Sequence, residues 1–202
     1  MTHIQLWNGD VCQLEVDAIV SPATPSLWMS SGVAEALKAA AGEEVELAAV
    51  RQQPVSVGDA VVTPAGRLAA RLMIHAVSLD RHRRTNGAAI ESALRSVFDR
   101  AREHEVSTLA MPVLGSNVGG FPLDATARIT VATVRDELHR SPGIDRVVLA
   151  MRGIGVYMAF ERALTAPVGI DIVADPAAPV GIDIVPDPVL DARLGADREL
   201  RA

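Results

Sequence analysis

The run Gly115-Ser116-Asn117-Val118-Gly119-Gly120-Phe121 offers the clearest chemistry in this 202-residue sequence. An apolar stretch, residues 108–114, stops abruptly at Gly115, and a helical pattern opens near Asp124. Glycines let a ligand approach the chain closely. Successive backbone N–H groups in such a turn, followed by a helix N-terminus, form a concavity suited to phosphate. The same pattern also serves as a tight strand-to-helix turn that binds nothing, and the loop alone leaves both readings open. Asp10, after Asn8-Gly9, reads by itself as a turn residue. His75 lies within an apolar strand and reads as a hydrogen-bonded core residue. Ser21 and Ser116 have no His/Asp pattern nearby to make either a nucleophile. The single lysine, Lys38, reads as a surface residue inside a helix. No cluster of metal ligands stands out, and nothing in the sequence calls for a cofactor.

Composition bounds the possibilities. Hydrophobic residues make up 49% and charged residues 22%, as in ordinary globular proteins. A net charge of −6 argues against broad nucleic-acid binding, which needs a basic surface. It leaves room for a local anion pocket built from backbone donors. One cysteine, Cys12, rules out an internal disulfide and reads as a small buried hydrophobe. The N-terminus carries no signal-peptide pattern, and no apolar run reaches the ~20 residues that span a bilayer. The expectation is a cytoplasmic protein that does not enter a membrane.

The elements that must position these residues alternate. Residues 4–7, 16–20, 59–63, 72–78, 108–114 and 146–151 read as strands; residues 33–41, 43–52, 88–103, 124–139 and 156–164 read as helices. Pro22 and Pro25 are expected to end the second strand at Val20. Interior strands that are apolar throughout, alternating with helices, predict a three-layer α/β/α sandwich around a mixed, largely parallel sheet. Residues 1–165 form the expected domain. Residues 166–202 hold a near-tandem repeat, Ala166-Pro-Val-Gly-Ile-Asp-Ile-Val and Ala178-Pro-Val-Gly-Ile-Asp-Ile-Val. The prolines there predict an extended tail, available to a protein partner or a second copy.

Several segments in this order resemble the macrodomain family, the ADP-ribose-binding module. They are Gly9-Asp10-Val11, Val16-Asp17-Ala18-Ile19-Val20, Ser31-Gly32-Val33-Ala34-Glu35-Ala36-Leu37, Met73-Ile74-His75-Ala76-Val77, and Ala110-Met111-Pro112-Val113-Leu114 leading into the glycine loop. The resemblance spans roughly residues 4–164 and implies ADP-ribose, free or attached to a protein, as the ligand. Asp10 would then accept from the adenine amino group, with the Val11 backbone beside it. Ser31, Gly32 and Val33 would line one side of the diphosphate, and the glycine loop the other. Phe121 would close over the distal ribose or diphosphate. Arg152 would lay its guanidinium plane against adenine.

Departures from the family pattern decide the expected mechanism. Where many members have Asn-Ala-Ala-Asn, this chain has Ser21-Pro22-Ala23-Thr24, so Thr24 replaces the asparagine that binds the distal ribose. The aspartate that helps activate water in MacroD-like hydrolases is here Ala34, and Glu35 projects elsewhere on the helix. Lys38 offers no pocket nucleophile. The implied function is ADP-ribose binding without efficient turnover. The alternative is a weak ADP-ribosyl hydrolase relying on the substrate's own phosphate and a water held by Gly32 and Ser116. A third possibility is a pocket emptied by its substitutions or turned to another nucleotide. Gly119→Glu is expected to spoil the diphosphate site while leaving the fold intact.

Overall fold

The computed structural model describes residues 3–166. The tail at 167–202, with both repeats' Val-Gly-Ile-Asp-Ile-Val segments and the expectation of a partner contact, lies outside the described residues. Six strands form one sheet: β1 (His3–Asn8), β2 (Val16–Ala23), β3 (Ala60–Pro64), β4 (Ala70–Val77), β5 (Thr108–Pro112) and β6 (Arg146–Met151). Their spatial order is β1-β6-β5-β2-β4-β3. Every neighbouring pair is parallel except β3 with β4. The helices are α1 (Gly32–Ala41), α2 (Glu43–Val50), α3 (Gly87–Glu103), α4 (Leu123–Arg140) and α5 (Ile154–Thr165).

Strand side chains alternate between two cores, which is why these strands read as continuous apolar runs. Ala18 and Val20, Ile74 and Ala76, Leu109 and Met111, Val147 and Leu149 face α3, α4 and α5. Ile19, Met73, Ala110 and Val148 face α1 and α2, meeting Leu37, Ala41 and Val45. The α3 stripe Ile90, Leu94, Val97, Phe98 and Ala101, expected from its helical period, is wholly buried. Asp17 staples the start of β2 to β5: its Oδ2 accepts from the N–H of Ser107 (2.9 Å), the N–H of Thr108 (2.8 Å) and the Thr108 hydroxyl (3.0 Å). Burial pushes its pKa up, and these donors outweigh that and hold the carboxyl below its ordinary value.

One expectation fails. β2 does not end at Val20 but continues through Ser21 and Pro22 to Ala23, in register with His75, Ala76 and Val77 of β4. The ladder from β2 to β5 stops at Ile19, paired with Ala110. Beyond that point one side of β2 has no partner, so a proline there forfeits no ladder hydrogen bond. The extension carries Thr24 and the loop after it to the rim of the sheet.

Candidate functional site

Because β1, β2, β4, β5 and β6 run parallel, the loops after all five gather at one end of the sheet, where open α/β sheets form their clefts. β1 leads to Asp10, β2 to the loop 24–31, β4 to the loop 80–86, β5 to the glycine loop and β6 to Arg152. Two adjoining cavities occupy this rim. The larger, ≈ 600 Å³, is lined by Asp10, Val11, Gly32, Ser116, Arg152 and apolar residues including Ala150 and Val156. The smaller, ≈ 190 Å³, is lined by Thr24, Ser26, Trp28, Ser30, Ser31, Ala34, Arg81, Arg83, Gly115, Val118 and Gly119 among others. Val33, Val113 and Asn117 border both. A Cβ placed on Gly32 would lie 3.5 Å from Val118 Cγ2, so the first loop and the tip of the glycine loop meet across the groove.

At the wider end, Asp10 precedes a short 3₁₀ turn, Val11–Gln13, and its Oδ1 accepts from the N–H of Cys12 at 3.0 Å. Its Oδ2 receives the Arg152 guanidinium, which reaches it across 142 positions of sequence. The Cys12 N–H is the main cause holding the Asp10 carboxyl below its ordinary pKa; burial opposes it, and Arg152 adds a lesser lowering. Cys12 is half-buried rather than fully enclosed. Its thiol is pushed up to about 11, by burial first and then by the adjacent carboxylate, so it is no nucleophile at neutral pH. The Asn8 side chain accepts from the Gly153 N–H at 3.0 Å, tying the ends of β1 and β6 together beneath this pair.

The middle of the groove is a junction of backbone donors. Ser31 precedes α1 without capping it through its side chain, so the first N–H groups of α1 have no side-chain acceptor. A helix start in that condition attracts an anion. Opposite, Gly115 adopts φ +83, a conformation that strains other residues, and the Phe121 N–H closes the loop onto the Gly115 carbonyl at 3.1 Å. A buried network behind the first loop fixes its path. The Glu46 carboxylate, from α2, accepts from the Met29 N–H at 2.6 Å and from Lys38 at 3.2 Å. Lys38 is thus bound to Glu46 behind the loop rather than free on the helix surface.

Placed against the sequence reading, Asp10, Val11, Gly32, Ser116 and Arg152 gather at the wide cavity, and Thr24, Ser31, Gly115, Val118 and Gly119 at the narrow one, with Val33 and Asn117 between. Gly120 and Phe121 line neither. Phe121 instead packs on the core shared by α3 and α4, its Cζ within 3.6 Å of where a Cβ on Gly87 would stand. Arg152 engages Asp10 as an ion pair. Ala34 is buried and borders the narrow cavity, while Glu35 is exposed and borders neither. Gly119 has no room for a side chain: a Cβ would stand 2.6 Å from the Gly115 carbonyl oxygen and 2.7 Å from Thr85 Cγ2. Gly119→Glu would therefore shift the loop itself, so the expectation of an intact fold does not hold at that position.

Sequence reasoning overlooked Ser26, Trp28, Arg81 and Arg83. The available signal was the basic cluster Arg81-His82-Arg83-Arg84 shortly after β4.

An α/β/α sandwich with a two-chambered groove across the C-terminal strand ends, floored by a helix start and a glycine loop, defines the class. The sequence profile of the Macro domain matches residues 20–130. An uncharacterized Mycobacterium tuberculosis protein is 37% identical over 166 residues, covering 82% of this chain and 46% of its own. The chain thus spans about half the length of the first curated relatives it matches. An Enterobacter cloacae protein named O-acetyl-ADP-ribose deacetylase is 34% identical over 172 residues, 81% of this chain and 94% of its own. Among solved structures, the Trypanosoma brucei macrodomain in complex with ADP-ribose superposes with a TM-score of 0.75 at 23% identity, over 80% of this chain and 69% of that one. A mutant of the Oceanobacillus iheyensis macrodomain with ADPR gives 0.73 at 21% identity, over 79% and 90%. This chain belongs to the Macro domain family.

Proposed function

We propose that the groove binds ADP-ribose, free or protein-linked, and does not turn it over efficiently. Adenine would enter the wide, largely apolar cavity with its amino group on Asp10. The diphosphate would cross between the start of α1 and the glycine loop, and the distal ribose would enter the narrow cavity beside Thr24. The observation that carries the non-catalytic part is the lining of the narrow cavity. Ala34 stands where an acid or base would be needed, and among the described residues no carboxylate, lysine or histidine borders this cavity. Loss of a positioned acid or base commonly costs ~10²–10⁴-fold in rate.

Calorimetric titration with ADP-ribose, with AMP for comparison, tests the reading. Saturable micromolar binding of ADP-ribose and much weaker binding of AMP are expected. Absence of ADP-ribose binding would refute it. A second reading, hydrolysis of an ester of ADP-ribose, is favoured by the relative named O-acetyl-ADP-ribose deacetylase. Its test is release of acetate from O-acetyl-ADP-ribose at a rate well above a chain whose Asp10 is replaced. Release at that rate would establish turnover and displace the binding-only reading.

A further inference from the structure

The narrow cavity has a charge its family resemblance does not account for. Arg81 and Arg83 both border it, and no Asp or Glu among the described residues does. The neighbouring carboxylate, Asp80, is already engaged. Its Oδ1 accepts from the N–H groups of His82 and Arg84, each at 2.8 Å, and its Oδ2 pairs with the Arg84 guanidinium at 3.1 Å. Backbone bonds between Asp80 and Arg84 (2.8 Å) and between Arg83 and Asp80 (3.0 Å) complete the turn. Within it Arg83 is held at φ +62, a left-handed conformation that costs a branched or long residue free energy and that surrounding structure must enforce. The result aims the Arg83 guanidinium at Ser31, whose hydroxyl is its hydrogen-bond acceptor. Arg81 makes no ion pair or side-chain hydrogen bond among the described residues. Both arginines are exposed, and Trp28, 52% exposed, borders the same cavity.

We propose that Arg81 and Arg83 form an anion subsite at the narrow end of the groove, which takes the phosphoryl group of a diphosphate ligand through guanidinium contacts. A guanidinium presents a planar fork of donors that matches phosphate oxygens, and such charge-assisted bonds are about twice as strong as neutral ones. Ser31 is one residue from the open start of α1, so a phosphate on those N–H groups falls within reach of Arg83 once it leaves the serine. The two arginines thereby add charged donors to the neutral N–H and O–H donors of this first loop. In identifying the natural ligand this rests on the ADP-ribose reading; the subsite's chemistry rests on the two arginines.

The test uses inorganic pyrophosphate, which has no adenine, titrated into the full chain and followed by tryptophan fluorescence. Trp28→Phe assigns the signal, since Trp7 is the other tryptophan. Saturable binding that weakens with added salt is expected, as for any partly exposed charge contact. Loss of each guanidinium, in Arg81→Gln and Arg83→Gln, should weaken it ~10-fold or more. Arg83→Gly accepts the left-handed backbone without strain, so it keeps the comparison valid if the glutamine variant misfolds. Equal pyrophosphate affinity in the Arg81→Gln/Arg83→Gln double variant, or none in the parent chain, would overturn the subsite. Pyrophosphate binding without ADP-ribose binding would leave the subsite standing and sink the ADP-ribose reading instead.

Discussion

At the scale of single residues, the wide end of the groove turns on one carboxylate. Asp10 commits one oxygen to the Cys12 N–H and the other to Arg152. A carboxylate has about four lone-pair sites, so it retains acceptor capacity for an exocyclic amine. Its pKa is held low, so it stays ionised through the physiological range and binding through it should not vary with pH there. Replacing a charged acceptor of a ligand N–H removes roughly 1.5–3 kcal/mol, or about 10- to 100-fold in affinity. Asp10→Ala should therefore weaken ADP-ribose by that factor, and Asp10→Asn, which keeps one acceptor oxygen, by less; titration calorimetry measures both. Equal affinity in parent and alanine variant would remove Asp10 from the ligand. The turn at Asp10 was legible in the sequence because a short strand followed by Asn8-Gly9 is a local feature; its proposed ligand role came from the family resemblance. The Asp10–Arg152 pair was not, since it joins residues at opposite ends of the domain and only the β1–β6 pairing brings them together. Arg83 was hidden for a similar reason. Its contact with Ser31 depends on a left-handed turn that its residue type disfavours and Asp80 imposes.

At the scale of elements, the placement of strands and helices was readable to within a few residues, because burial on both faces writes an apolar run into each parallel strand. Pro22 misled for a physical reason. A proline ends a strand only where its missing N–H is needed, and β2 beyond Ile19 is paired on one side alone. The loop 24–31 was readable only as a loop. What shapes it is Glu46, a carboxylate buried to 6% exposure on α2 that holds the Met29 N–H and Lys38. Nothing in a helix rich in glutamate marks which one turns inward. Glu46→Ala would leave the buried Met29 N–H unpaired and Lys38 without its counter-ion. Breaking a buried charged contact this way costs about 3 kcal/mol. The expected result is a lower urea midpoint together with weaker ADP-ribose binding, since Ser30 and Ser31 follow Met29 directly. Glu46→Gln keeps an acceptor for Met29 and should restore part of both. If stability fell while affinity held, the network would support the fold without positioning the site.

At the scale of the whole molecule, stability should carry a pH dependence set by one buried group. His75 lies on β4 between β2 and β3, fully buried, with Nε2 2.9 Å from the Thr63 hydroxyl and no hydrogen-bond partner for Nδ1 among the described residues. With no carboxylate beside it, burial disfavours the imidazolium and lowers its pKa from 6.5 to about 4. The sign follows from proton counting. Between those values the unfolded chain holds a proton on this histidine that the folded chain does not, so stability rises with pH. The contribution is complete above pH ~6.5 and is lost as pH falls toward about 4. At ~1.4 kcal/mol per pKa unit the whole window spans about 3.5 kcal/mol, of which about 2 kcal/mol is gone by pH ~5. Asp10 and Asp17 titrate below this range because their carboxyls are held low, so their losses come later in acid. His75→Asn retains hydrogen-bonding atoms near Thr63 and cannot charge. The variant should be less stable at pH ~7 because it leaves space in the core, yet nearly flat from there to pH ~5, while the parent loses about 2 kcal/mol of unfolding free energy. Urea unfolding at the two pH values makes the comparison, and parallel losses in both proteins would assign the acid sensitivity to groups other than His75.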